Sequence, residues 1–279
     1  MSTSLQEDIK YANEVIGGLS DETHRRVFGN TNERLLELFE SIDITNKSVL
    51  AVMSSGDYLI MSHLFGAKSV ECYDINPITY RYYYLKRWLN QNGSLDLENK
   101  CNYNKVINII NSVVPTSEIE KECKEFWQEI FKNFNDKDYS NNRLIITRSS
   151  FLIFYYIEMG DKIGQILSSV DPVFYNFDIR DKSGLGLDRK YDYVFISNIL
   201  DCNNRDIETL STIRQNLASI LNKGGKVICT HLDRDSEDCY RFIDELEFER
   251  KAFEEDFSFQ TIRENGSGMF YSYTLKNKD

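Results

Sequence analysis

Short apolar runs alternate with segments of helical spacing along most of the chain, starting near residue 48. Apolar runs of five or six residues that end in a turn are typical of buried strands. Five such strands are predicted, at 48–53, 69–73, 173–177, 191–196 and 226–230. Helices are predicted between them at 58–65, 78–90 and 206–221, and another follows the fifth strand at 237–251. Strands that alternate with helices predict an α/β fold with a doubly wound, mostly parallel sheet.

The C-terminal end of the chain has a different pattern. Residues 258–263 and 269–275 alternate between apolar and polar positions, and Asn265-Gly266-Ser267-Gly268 separates them. This arrangement predicts an antiparallel hairpin. Together with the five parallel strands, the hairpin completes a predicted seven-stranded sheet.

Two segments fall outside the strand–helix alternation. Residues 1–45 are predicted to form a helical N-terminal segment, and 46–279 a single α/β domain. This domain is interrupted at 94–170, a span too long for a structureless loop in a compact fold. A helical insertion is therefore expected, with helices at 117–134 and 149–169.

Charge and composition narrow the class of protein. The 279 residues include 44 acidic and 33 basic side chains, for a net charge of −11, which argues against nucleic-acid partners. No apolar stretch reaches the roughly 18 residues of a membrane span, and the N-terminus lacks a signal-peptide pattern. Six cysteines without a CxxC pair and three scattered histidines predict reduced thiols and no metal site. We therefore expect a cytoplasmic protein without stable membrane insertion.

Small and polar residues follow four of the predicted strands, where parallel sheets bind their ligands. The residues at these strand ends are Ser54, Ser55, Gly56 and Asp57; Asp74, Ile75 and Asn76; Asp178 and Ile179; and Ser197 and Asn198, of which all but the two isoleucines are small or polar. An acid about 20 residues after the first turn can accept both hydroxyls of a ribose. The set predicts a site for a nucleoside-type cofactor. NAD, FAD and ATP are disfavoured, because neither GxGxxG nor GxxxxGK[ST] is present.

The segments VLAVMSSGD, YDIN, FDI, YDYVFISNILD and LNKGGKVI, in this order, resemble the class I S-adenosylmethionine-dependent transferases. The resemblance covers about 48–92 and 171–275. It implies that 46–279 is a Rossmann-like domain that binds S-adenosylmethionine. The chain departs from the usual first motif, because it has Ala51 in place of an acid and only one glycine, Gly56.

The same resemblance implies a role for each strand end. Gly56 and its neighbours would hold the methionine moiety, and Asp74 would bind the ribose. Asp178 and Ile179 would bind the adenine. Ser197, Asn198 and Asp201 would lie beside the sulfonium and the acceptor.

Two residues are candidates for removing a proton from the acceptor. Asp201 follows the fourth strand, and His231 directly follows the fifth. Each also has a purely structural interpretation, Asp201 as a helix cap and His231 as an ordinary structural histidine.

Three activities are open at this point. The first is methyl transfer to a small molecule. The second rests on a narrower likeness, since SSGD, DINP, SNILD and the insertion resemble the bacterial group around the betaine-lipid aminocarboxypropyl transferases. That group transfers the 3-amino-3-carboxypropyl arm of the cofactor, here to a small or lipid-like acceptor. The third is a non-catalytic, cofactor-binding regulatory protein, which the glycine-poor turn motivates.

Overall fold

The computed structural model describes residues 4–16, 27–28, 34–93, 103–132, 145–146, 152–197, 199–202, 206–232, 239–265 and 268–277. The helices in these ranges are α1 Leu5–Ile16, α2 Leu35–Glu40, α3 Asp57–Leu64, α4 Ile78–Gln91, α5 Tyr103–Ser112, α6 Glu118–Lys132, α7 Leu152–Ser169, α8 Ile199–Cys202, α9 Ile207–Ile220 and α10 Cys239–Phe253. The strands are β1 Val27–Phe28, β2 Ser48–Val52, β3 Ser69–Asp74, β4 Ile145–Ile146, β5 Val173–Asn176, β6 Tyr191–Ser197, β7 Leu221–Leu232, β8 Phe257–Asn265 and β9 Gly268–Leu275.

Seven of these strands form one mixed sheet in the order β5-β3-β2-β6-β7-β9-β8. Strand β2 pairs in parallel with β3 and β6, and β6 pairs in parallel with β7. Strand β9 is antiparallel to both β7 and β8. The predicted seven-stranded α/β sheet with a C-terminal antiparallel hairpin is confirmed.

Strand β7 is longer than the sequence predicts. Its pairing with β6 starts at Leu221 instead of Lys226. Tyr191 pairs with Leu221, and Tyr193 pairs with Lys226. The extra residues on β7 form a bulge, in which Gly224 has a φ of +72°. The glycines after α9 therefore lie within a strand that has already begun.

The chain forms two compact units. The first comprises Met1–Asn32, Met53–Ile60 and Asp74–Asn176, and the second Glu33–Val52, Met61–Tyr73 and Phe177–Asp279. In the first unit, α5, α6 and α7 agree with the expectation of a helical insertion. Helix α5 was not predicted, because asparagines surround its buried apolar residues. The N-terminal segment is not entirely helical, since β1 pairs in parallel with β4.

The core of the first unit surrounds α4. Apolar and aromatic side chains from α1, α4, α5 and α6 contribute, among them Ala12, Val15, Tyr82, Tyr84, Trp88, Val106, Ile110, Phe126, Trp127 and Ile130. Tyr82, Tyr83 and Tyr84 of α4 are also fully buried.

Helix α4 also buries three cations. Arg81, Lys86 and Arg87 are at most 4% exposed. The Arg81 Nε donates to Asp8 Oδ2 of α1 at 2.6 Å, and the Arg87 Nη1 donates to Glu120 Oε1 of α6 at 3.1 Å. An unpaired charge in such a position would be costly, so these pairs tie α1 and α6 to α4.

The second unit has a mainly apolar core. Ring stacking joins α2 to β6, since the Phe39 and Phe195 centroids are 5.2 Å apart. Cys72 of β3 and Cys229 of β7 are buried free cysteines, which pack as small apolar side chains. Among the described residues, no helix is both long and apolar enough to cross a membrane.

We expect Arg81→Met to destabilise the protein by about 3 kcal/mol or more, because the buried Asp8 carboxylate loses its cation. Adding Asp8→Asn should recover most of that loss, since the pair is then neutral. Urea denaturation of the wild type and both variants measures the two effects. A double variant no more stable than Arg81→Met would contradict this account.

Candidate functional site

The turn after β2 has an unusual backbone. Ser54 has a φ of +43° and Gly56 a φ of +82°. The Gly56 N–H donates to the Met53 carbonyl at 2.6 Å, which closes the turn. A positive φ at serine costs about 1–3 kcal/mol and persists only where neighbouring groups hold it. Such positions are concentrated at functional sites, so the turn is a candidate site.

Asp74, the last residue of β3, holds this turn. The Ser54 N–H donates to Asp74 Oδ2 at 2.8 Å, and the Asn76 N–H donates to Asp74 Oδ1 at 2.9 Å. Both partners were predicted as site residues, and the structure brings them together on one carboxylate. The Ile75 N–H and the Thr79 side chain also interact with this carboxylate, so a ligand hydroxyl would share its oxygens with the groups that fix the turn.

The electrostatic setting of Asp74 is unusual for a carboxylate. Burial raises its pKa to about 6, although hydrogen bonds from the Asn76 and Ser54 N–H groups lower it. The group therefore changes charge close to neutral pH. At pH 7 and above it is mainly the ionised acceptor.

Asn176, which was not predicted, fixes the same strand end. Its Nδ2 donates to the Asp74 carbonyl at 2.9 Å and to the Ile75 carbonyl at 3.0 Å. Ile75 is 41% exposed, whereas Asn76 is buried and its Oδ1 accepts from the Ile78 N–H at the start of α4. Ile75 therefore has side-chain surface available to a ligand, while Asn76 supports the backbone.

The inner side of the turn is a closed polar network. The Ser55 hydroxyl donates to Asp57 Oδ2 at 2.5 Å, and the Lys86 Nζ donates to Asp57 Oδ1 at 2.5 Å. Ser55 and Asp57 are at most 2% exposed, so their side chains stabilise the turn from its buried side. Lys86 was missed, although a lysine within the aromatic sequence YYYLKRWL is a recognisable signal.

Gly56 is required where it lies for two reasons. Its φ is in the left-handed region, which disfavours any residue with a Cβ. In addition, a Cβ at this position would lie 2.8 Å from Cδ2 of Tyr83. The tyrosine ring on α4 thus limits how far the turn can shift.

Asp178 and Ile179, predicted to bind an adenine, lie in the second unit. Both Asp178 carboxylate oxygens accept from Arg180, with Nε–O distances of 2.8 and 2.9 Å. Ile179 is buried, and its carbonyl accepts from Asn216 Nδ2 at 2.8 Å. The arginine was not predicted, and a ligand amine at Asp178 would share this carboxylate with it.

The remaining predicted residues lie at or near the C-terminal ends of β6 and β7. Ser197 ends β6 with a φ of +54°, another strained serine. Asn198 lies outside the described residues, as do the side chains of Asp201 in α8 and His231 in β7. Asp206 caps α9 by accepting from the N–H groups of Glu208 and Thr209.

No protein-family model matches the chain, and no curated protein matches it. Solved structures that resemble it include the N-methyltransferase NodS from Bradyrhizobium japonicum WM9 in complex with S-adenosyl-L-homocysteine. The sequence identity to NodS is 9% and the TM-score is 0.43, and the match covers 97% of this chain and 99% of that chain. A methyltransferase from Pyrococcus furiosus has 10% identity and a TM-score of 0.45, with 98% of each chain covered. An rRNA methylase from Streptococcus thermophilus has 7% identity and a TM-score of 0.37, with 89% of this chain and 98% of that chain covered.

These matches assign neither a family nor an activity, because every TM-score is below 0.5. The expected exclusion of nucleic acid gains no support from these three structures, and none of the three is named as an aminocarboxypropyl transferase.

We expect Gly56→Ala to lower the free energy of unfolding by about 3 kcal/mol, through the left-handed backbone and the contact with Tyr83. In a Tyr83→Leu background the same substitution should cost less, since only the backbone contribution remains. Chemical denaturation of the four proteins measures both costs. Equal costs in the two backgrounds would contradict the proposed ring contact.

Proposed function

We propose that this protein is an S-adenosylmethionine-dependent transferase, and specifically a methyltransferase that acts on a small molecule. The observation that carries the proposal is the Asp74 carboxylate, which joins the strained Ser54 turn to the end of β3. A ribose-binding acid in an open α/β sheet occupies this type of position. The resemblance of the sequence segments to the class I transferases points to the same ligand.

The donors and acceptors of the first unit suit the ribose and methionine parts of such a ligand. Asp74 would accept from the ribose hydroxyls, and the turn at Ser54 and Gly56 would hold the amino-acid part. The N-terminal end of α3, which starts at Asp57, adds a partial positive charge that favours a carboxylate. For the adenine and the reacting group, Asp178, Ile179, Ser197 and Asn198 stay predictions.

When bound, S-adenosylmethionine supplies a methyl group on a positively charged sulfur. The chain then has to align the acceptor with that methyl group. Where the acceptor carries a proton on its reacting atom, a side chain of the protein has to accept that proton. We assign the proton-accepting role to Asp201 or His231, as predicted from the sequence. The acceptor is proposed to be a small molecule because of the overall negative charge of the chain.

We expect S-adenosylhomocysteine to bind more tightly as the pH rises through about 6, because ionised Asp74 is the better acceptor. Asp74→Asn should weaken binding by about tenfold or more and flatten this pH dependence, since a charge-assisted hydrogen bond is lost. Isothermal titration calorimetry between about pH 5 and pH 8 measures both.

The matched control is Asp192→Asn. Asp192 is a partly buried carboxylate in β6 that accepts from the Ser48 N–H and hydroxyl, each at 2.9 Å, at the start of the strands. This variant should keep the wild-type affinity and pH profile. Wild-type protein that gives no heat with S-adenosylhomocysteine or S-adenosylmethionine would overturn the cofactor assignment.

The by-product identifies the group that is transferred. Incubation of the protein with S-adenosylmethionine and a small-molecule extract of cells should release S-adenosylhomocysteine, detected by mass spectrometry. Release of methylthioadenosine would instead indicate aminocarboxypropyl transfer. Binding without either by-product would favour a regulatory protein, and release only with added RNA would contradict the small-molecule acceptor.

A further inference from the structure

The ammonium group of Lys86 lies beneath the Ser54–Asp57 turn. The Lys86 side chain is 0% exposed, and that of its partner Asp57 is 1% exposed. Besides the 2.5 Å bond to Asp57, the Lys86 Nζ donates to the Ser55 carbonyl at 3.2 Å. One cation therefore binds both the backbone of the turn and the first residue of α3.

We infer that Lys86 is a positioning residue for the proposed cofactor site. Through Asp57 and the Ser55 carbonyl it fixes the turn in the conformation that receives the ligand. The inference rests on the proposed function, because it assigns the turn to the amino-acid part of S-adenosylmethionine.

The contacts distinguish Lys86 from the other cations of its helix. Arg81 pairs with Asp8 of α1, and Arg87 pairs with Glu120 of α6. Those two pairs hold helices together, whereas Lys86 bonds to the turn. The three cations lie on one helix and are similarly buried. Variants at Lys86 and at Arg81 can therefore be compared to distinguish a local effect on the turn from a general effect on stability.

The charges around the turn also support a positioning role for Lys86. Asp57 is a buried carboxylate directly beside Gly56, where the ligand's own carboxylate is proposed to bind. Without a counter-ion, Asp57 would repel an anionic group and would be costly to bury. Lys86 neutralises the Asp57 carboxylate through Oδ1, and the Ser55 hydroxyl donates a hydrogen bond to Oδ2.

The test replaces the ion pair with neutral side chains of similar size, as Asp57→Asn/Lys86→Met. This double variant avoids a lone buried charge, but it leaves the Ser55 carbonyl without its cation. We expect its dissociation constant for S-adenosylhomocysteine to rise by about tenfold or more, because binding must then order the turn. Without ligand, amide hydrogen exchange over residues 53–60 should be faster than in the wild type, and saturating ligand should slow it again.

The matched control is Asp8→Asn/Arg81→Met, which neutralises a buried pair on the same helix away from the turn. It should bind S-adenosylhomocysteine within about twofold of the wild type, with unchanged exchange over 53–60. Equal loss of affinity in both double variants would overturn the inference, as would wild-type affinity and exchange in Asp57→Asn/Lys86→Met.

Ser55→Ala provides a milder second variant if the double variant fails to fold. It removes the hydroxyl bond to Asp57 and keeps the ion pair, so weaker binding with faster exchange over 53–60 is again expected. Wild-type behaviour of Ser55→Ala in both measurements would count against the inference. Failure of the wild type to bind either ligand would instead remove the proposed function on which the inference depends.

Discussion

Charge compensation around α4 is the constraint on which the first unit depends. The helix buries Arg81, Lys86 and Arg87 among aromatic side chains, and each cation requires an acid at a fixed position. Those acids come from α1, from α6 and from the turn after β2. The requirement to pair buried charges therefore brings the N-terminal helix, the insertion and the candidate site to a single helix.

The candidate site combines backbone strain with a carboxylate that is poorly solvated. The positive φ of Ser54 is unfavourable by itself, and the bond from its N–H to Asp74 holds it in place. The same burial that allows this bond raises the pKa of Asp74 to about 6. Strain and a shifted pKa together are more typical of a binding site than of an ordinary turn.

The sequence predicted the features that depend on local pattern. Apolar runs and the turns after them located the sheet strands and placed Ser54, Asp74 and Asp178 at strand ends. The bulge in β7 was missed, because it depends on pairing with β6. Lys86 and Asn176 were also missed. Lys86 bonds to Asp57, 29 positions away, and Asn176 bonds to residues 101 and 102 positions away, and no local pattern encodes such contacts. Arg180 is only two residues from Asp178, but its ion pair requires a loop conformation that spacing alone does not specify.

A crystal structure of the protein with S-adenosylhomocysteine shows directly whether Asp74 and the strained turn hold the ligand. The account predicts that the ribose hydroxyls lie within hydrogen-bond distance of the Asp74 carboxylate. The amino-acid part of the ligand should lie against the Ser54–Asp57 turn, with Lys86 still paired to Asp57 beneath it. A ligand bound away from Asp74 and this turn would contradict the account.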